Sequence, residues 1–461
     1  MALDVIRAVH EDDAYANLLL PGRIARARLS AADTALATEL CYGTLRMQGR
    51  YDAIIALAAR RGVERIDPPV LDVLRLGAHQ LLGMRTPAHA AVHETVALTR
   101  DLGAHAATGF VNGVLRALAR DGADAWLARA LAAAGGPDER RAVEHSHPLW
   151  VLRALRAALV ADGRLGDGSD GTGHGDDAEL DALLAADDVA PRVALVALPG
   201  LAERGELEAA GARPAPYSPL GALLPGGDPA LLPAVAAGRA RVQDEGSQLV
   251  ALALARARPV RPGERWLEMC AGPGGKAALL AAEAAAGGAR LDANELVPQR
   301  AELVRRALAV FDPAPEVTVG DGRALGAAQP AGYDRILLDA PCTGLGALRR
   351  RPEARWRKRP EDVAGLAALQ GELLDSAVAA LAPGGLLGYA TCSPHPGETI
   401  AVIEAALARH TGRIQAIDTP AVLRRIAVGP IDLRGTRHAQ LWPHAHGTDA
   451  MFLQLIARVD G

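Results

Sequence analysis

The chain has 461 residues, more than one ordinary core holds, so two or three domains are expected. Half of the residues are hydrophobic and the formal net charge is −4, which supplies cores but gives no overall attraction for a polyanion; aromatics at 3% exclude a broad base-stacking platform. Four cysteines without a CxxC pair exclude a disulfide framework and fit a reducing cytoplasm, and neither a charge-free apolar run of spanning length nor a basic-then-apolar N-terminus is present, so a soluble protein without a signal peptide is expected.

Residues 1–145 read as helices. Apolar side chains recur at helical spacing in 35–40, 70–76 and 110–116, and Asp67-Pro68-Pro69 supplies a helix start with Asp67 as cap. Residues 146–240 read as a small connecting α+β segment, with a strand over 192–198. Within it, 161–177 carries almost no apolar side chain and is expected to be a flexible insertion. Its aspartates lack the closing glutamate of a calcium loop, and no metal site is expected anywhere in the chain. Residues 241–461 alternate helices with apolar strands at 265–270, 289–293, 316–319, 335–339 and 386–390, the pattern of a parallel doubly wound α/β sheet.

The first of these strands runs into Cys270-Ala271-Gly272-Pro273-Gly274-Gly275-Lys276 and then a helix. Glycines there let a ligand approach the backbone closely. Acidic residues follow at successive strand ends: Glu295, placed for ribose hydroxyls, Asp321, placed for an adenine amino group, and Asp339. Carboxylates in that number suit a nucleoside cofactor with a positive centre, as in S-adenosylmethionine. A dinucleotide would also use such a turn, but no arginine or second glycine fingerprint supports it. Lys276 and Lys358 are the only lysines in an arginine-rich chain, a hint that an ammonium is wanted at each place.

Two cysteines lie where two strands end, Cys342 in Asp339-Ala340-Pro341-Cys342 and Cys392 in Thr391-Cys392-Ser393. In an open α/β sheet both would face one crevice. A thiolate adding to C6 of cytosine makes C5 nucleophilic; an acid must hold a proton at N3, and a base must later remove the C5 proton. Cys392, Asp339 and Cys342 can supply that kit. A zinc site through Cys392 and His395 lacks two further ligands. Directly after Cys342 comes the most basic stretch of the chain, with Arg349, Arg350, Arg351, Arg355, Trp356, Arg357, Lys358 and Arg359; it is expected to hold an RNA backbone and one stacked base.

These motifs resemble the RNA (cytosine-5)-methyltransferase superfamily. The loop at 270–276 is similar to its cofactor loop, and 338–344 and 390–393 look like its two cysteine motifs. The resemblance implies Cys392 as nucleophile, Cys342 in proton removal and release, and Lys276 beside the catalytic Asp339. Residues 15–21 and 110–116 look like the helical RNA-binding domain of the antitermination factor NusB, and Ser146-His147-Pro148-Leu149-Trp150 follows as in the small-subunit methyltransferase B (Sun/Fmu) group. The resemblance covers nearly the whole chain. It departs at Gly272, where alanine is usual, at Glu295, where aspartate is usual, and at the 161–177 insertion. It implies an all-α NusB-like domain, a connecting domain and a Rossmann-like class I methyltransferase domain. It also implies an S-adenosylmethionine-dependent cytoplasmic monomer acting on 16S ribosomal RNA, free or in an early assembly intermediate. Transfer RNA or another ribosomal RNA as substrate, and a non-catalytic NusB-like antitermination module, are the alternatives.

Overall fold

The computed structural model describes residues 1–166 and 177–459. The chain gathers into two compact units. One comprises Met1–Ala154, Leu184–Ala190 and Leu348–Arg359; the other comprises Leu155–Leu183, Pro191–Ala347 and Pro360–Gly461.

The first unit is helical, as expected. Helices Ala2–Glu11, Ala16–Ala27, Ala31–Arg46, Gln48–Ala59, Pro68–Ala78, Ala88–Asp101, Thr108–Ala133 and Pro137–Glu144 enclose a core that includes Ile6, Leu45, Ile55, Leu74, Leu115 and Leu118. The helix predicted after Asp67 begins at Pro68, although the Asp67 carboxylate makes no capping hydrogen bond. Proline at the first position fixes φ and needs no donor partner, which suffices to start the turn.

The connecting segment belongs to the second unit. It forms an antiparallel sheet in the order β2-β3-β1-β4, with β1 Val193–Ala197, β2 Arg213–Pro214, β3 Gly221–Leu224 and β4 Ala240–Val242. Most of the insertion expected at 161–177 lies outside the described residues. Its described N-terminal flank is tied down: Trp442 Nε1 donates to Asp162 at 2.7 Å, and Arg164 pairs with Asp162 and Glu179.

The main sheet contains β5 Arg265–Glu268, β6 Arg290–Glu295, β7 Glu316–Val319, β8 Tyr333–Asp339, β9 Leu381–Thr391, β10 Ile414–Ala416, β11 Ala439–Gln440 and β12 Phe452–Arg458. The order is β10-β12-β9-β8-β5-β6-β7, with β11 paired to β12. The five predicted strands, β5 to β9, are parallel; β12 runs antiparallel to β9. The parallel sheet expected from the sequence is thus present, and antiparallel strands extend it to a mixed one.

Both faces are covered. Trp266, Leu337, Leu386 and Leu455 enter one hydrophobic cluster, while their chain neighbours Leu267, Ile336, Leu338, Leu387 and Ile456 enter the other. That two-residue alternation explains why the central strands read as continuous apolar runs. The helix Pro360–Ala380 is long and apolar enough to cross a membrane by length and composition, but here Leu373, Leu374, Ala377 and Val378 pack on the second cluster.

From β5 the chain builds outward through β6 and β7, then returns to lay β8 and β9 on the other side of β5. The order reverses between β5 and β8, and a crevice outside the carboxyl ends of the strands is expected there.

Candidate active site

The glycine turn follows β5 and opens the helix Gly275–Ala286. Gly274 has φ +103°, and a Cβ there would meet Ala307 Cβ at 2.6 Å, so only glycine fits. Glu295, at the end of β6, accepts from Gly272 N at 2.9 Å and from Val297 N at 3.0 Å. A Cβ on residue 272 would lie 2.3 Å from Glu295 Oε2. The Glu295 carboxylate therefore occupies the space that a side-chain methyl at 272 would take. Arg300 donates to Gly272 O at 2.6 Å and closes the turn from outside.

Cys270 and Ala271 contribute mainly backbone to this loop. Ala271 N donates to Asn294 O at 2.8 Å, and Gly274 N donates to Ala271 O at 2.7 Å. Burial, then the charges of Asp339, Glu295 and Glu268, push the Cys270 thiol up to about 12, which makes it inert. Asp321 ends the β7 segment, but its carboxylate caps Arg323 N and pairs with the Arg323 guanidinium at 2.7 Å.

Three residues that the sequence did not single out complete the acidic pocket and its frame. Glu268, the last residue of β5, is 1% exposed, and its Oε2 has no hydrogen-bond partner. Burial first, then Asp339, raises its carboxyl well above the usual carboxylate range. Asn294 Nδ2 donates to Met269 O and Gly320 O, both at 3.0 Å, tying together the ends of β5, β6 and β7. The third, Glu398, bridges the cysteine loops. An unanswered buried carboxyl beside a glycine cradle, with Glu295 and Asp339 nearby in the charge balance, fits a cationic nucleoside cofactor.

On the other side of the switch point, the parallel register sets Asp339 opposite Ala390. Ala340 N donates to Ala390 O at 2.8 Å, so the loops after β8 and β9 leave the sheet side by side. Cys342 Sγ and Cys392 Sγ are 3.5 Å apart. The hydrogen bond to Cys392 and burial, with lesser contributions from the Cys392, Glu398 and Asp339 charges, hold the Cys342 thiol well above its ordinary value. Either sulfur can be the donor across this contact, so a proton can pass between the two thiols.

Lys276 Nζ donates to Asp339 Oδ2 at 2.8 Å. Burial disfavours the Lys276 ammonium, but Asp339, Glu268 and Cys392 outweigh it and raise its pKa. The four residues expected to be catalytic, Cys392, Cys342, Asp339 and Lys276, therefore converge.

The basic stretch does not behave as expected. Residues 348–359 gather with the helical unit. Arg355 is fully buried and donates to the carbonyls of Arg46, His145, Ser146 and Asp187 and to Asp188 Oδ1. Arg357 donates to Val9 O and Ala14 O, and Arg351 and Arg357 lie over the Tyr15 ring. Arg349 is 7% exposed, and Trp356 packs so closely on Gly49 that a Cβ there would meet its ring at 2.5 Å. A buried guanidinium cannot reach a phosphate, so the assignment of Arg355 to RNA is corrected. Arg350 and Arg359 are exposed, and Lys358 is half-buried.

Residues 256–457 match the family described as 16S rRNA methyltransferase RsmB/F, and residues 1–120 match the NusB family. The chain is 47% identical over 463 residues to a protein of Mycobacterium tuberculosis described as a putative methyltransferase, covering 99% of this chain and 96% of the other. It is 34% identical over 427 residues to the ribosomal RNA small subunit methyltransferase B of Pseudomonas putida, covering 89% of each chain. The fold aligns with the crystal structure of PH0851 at a TM-score of 0.76 and 21% identity, over 99% of this chain and 97% of that one. This chain therefore belongs to the 16S rRNA methyltransferase RsmB/F family and carries a NusB-family domain at its N-terminal end.

Proposed function

We propose that the protein transfers a methyl group from S-adenosylmethionine to C5 of a cytosine in 16S ribosomal RNA, through a covalent adduct between Cys392 and cytosine C6. The observation that carries the reading is the pair of sulfurs 3.5 Å apart, next to the Lys276–Asp339 pair. The bound cofactor would supply an electrophilic methyl group, held by the glycine turn and by Glu295, Glu268 and Asp321.

The residues then divide the work. The Cys392 thiolate forms a bond to C6, and the electron pair displaced into the ring is met by a proton held at N3 by Asp339, with Lys276 as its buried partner. That leaves C5 nucleophilic. After methylation the N3 proton returns to Asp339, a base removes the C5 proton, and the electrons of that C–H bond reform the C5–C6 double bond as the sulfur leaves with the C–S pair as a thiolate. Cys342, in contact with the departing sulfur, serves proton removal and release. The target base must be unstacked to reach both thiols, so RNA that is free or in an early assembly intermediate is the expected substrate, and one monomer in the cytoplasm suffices.

Naked 16S transcript and transfer RNA, each incubated with labelled cofactor, test the reading. Label in 16S RNA, recovered as 5-methylcytosine, is expected. Incorporation only into transfer RNA would overturn the substrate, and label on a base nitrogen would overturn the chemistry.

A further inference from the structure

Glu398 lies six residues beyond Cys392, in the short turn Pro396–Glu398, and is 0% exposed. A fully buried carboxylate is costly unless its oxygens are answered, and these are. Oε1 accepts from Thr343 N at 2.8 Å and from Gln370 Nε2 at 3.4 Å. Oε2 accepts from Thr343 Oγ1 at 2.5 Å and from Ser393 Oγ at 2.6 Å. Thr343 follows Cys342 and Ser393 follows Cys392, so one carboxylate grips the residue after each thiol, and the two hydroxyls also touch each other at 3.0 Å.

The support continues outward. Gln370 Nε2 donates to Pro341 O at 2.8 Å, on the other side of Cys342, and Tyr389 OH donates to Glu398 O at 2.7 Å and Gln370 Oε1 at 3.2 Å. Thr343, Gln370, Tyr389 and Ser393 are each at most 2% exposed. Hydrogen bonds to a charged acceptor, made out of contact with water, are the stronger kind and fix geometry most firmly.

We infer that Glu398 is a positioning residue that clamps the Cys342 and Cys392 loops together and so sets the distance between the two sulfurs. The inference deepens the proposed reaction and rests on it only for its kinetic consequence. The clamp itself is a property of the folded chain. A gap of about one ångström between catalytic groups can cost on the order of 100-fold in rate. Glutamine should rescue much of the loss, because its oxygen can still accept from Thr343 N while its NH2 donates to the two hydroxyls, which then reverse their roles.

The test compares full-length wild type with Glu398→Ala, Glu398→Gln and Ser393→Ala. One readout is the rate at which diamide, itself reduced to the hydrazine, oxidises Cys342 and Cys392 to a mapped disulfide. The other is methylation kinetics on RNA. Glu398→Ala should slow disulfide formation at least about 10-fold and lower kcat about 100-fold, with KM for RNA within about 3-fold. Glu398→Gln should stay within about 10-fold of wild type in both readouts, and Ser393→Ala should fall between.

If Glu398→Ala does not fold, Ser393→Ala and Glu398→Gln carry the test. Disulfide rates and kcat at the wild-type level in Ser393→Ala would then overturn the clamp, as they would in a folded Glu398→Ala. A rise in KM alone would overturn it as well. The disulfide readout needs no substrate, so a clamp that holds in a protein without cytosine methylation would reject the proposed reaction and leave this inference standing.

Discussion

Residues 339–347 and 348–359 are consecutive in the chain and have opposite fates. The first stretch carries a single charged side chain, Asp339, and displays it with Cys342 at the crevice of the α/β unit. The second carries seven basic residues and turns most of them into the helical unit. The difference lies in what each group finds there. Arg46 and Asp187 end helices Ala31–Arg46 and Ala178–Asp187, and His145 is the C-cap of Pro137–Glu144. Helix ends leave unanswered carbonyls with partial negative charge, and Arg355 brings its two terminal nitrogens to three of them at once. A run of arginines is therefore as good a helix-end plug as a phosphate grip, and charge density alone does not distinguish the two.

The comparison can be broken first at the thiols. Cys392→Ala should reduce turnover by at least about four orders of magnitude and form no adduct, since the covalent step is lost. Cys342→Ala should accumulate a protein–RNA adduct that survives denaturing electrophoresis. An exchange of these two phenotypes would exchange the roles. Next in size is Arg355→Ala, which removes a fully buried cation from its carbonyls and from Asp188 and should cost the helical unit about 3 kcal/mol, read by denaturant melts. Methylation by whatever protein remains folded should persist.

Gly272→Ala should weaken cofactor binding about 10-fold because its methyl meets the Glu295 carboxylate, whereas Gly272→Ala with Glu295→Asp should recover most of the loss. Additive losses in calorimetry would refute that coupling.

Alkaline pH offers a comparison between the units. Burial pushes both Cys41, in the helical unit, and Cys270, in the α/β unit, up to about 12. Each folded unit therefore holds a proton that the unfolded chain releases near pH 9. Stability should be level below that pH and fall by about 1.4 kcal/mol per pH unit for each thiol as the pH rises toward about 12. A cysteine-to-alanine change at either position should flatten that part of the profile. The smallest effect is expected at Arg350 and Arg359, where alanine should leave stability within about 0.5 kcal/mol and lower the salt dependence of RNA binding by about one unit of slope each. No change in that slope would remove these two from the RNA-binding surface.

Much of this molecule was legible in the sequence. The strands β5 to β9 were readable because burial on both faces leaves uninterrupted apolar runs, and the helical unit because its apolar spacing is regular. The cysteines were readable because both sit in short loops at strand ends. The antiparallel strands β10 to β12 were missed. β10 and β12 pair with segments distant in sequence, and β11 is only two residues long.

Glu398, Glu268 and Asn294 were missed for a related reason. Asn294 and Glu398 act through partners scattered across several elements, and Glu268 stands out only by the burial the fold gives it, so only the folded register shows that a carboxylate beyond one cysteine holds the residue after the other. Arg355 was misread because pattern alone cannot say whether a guanidinium meets protein carbonyls or solvent.

The membership of residues 348–359 in the helical unit bears on any dissection of this protein. A fragment ending near residue 154 would lack the arginine that closes two of its helix ends, and a fragment beginning near residue 241 would carry a twelve-residue excursion with nowhere to dock. Cutting where the sequence suggests a border should yield two unstable halves. Supplying 348–359 as a peptide in trans should restore the first, much as a missing strand is restored by complementation.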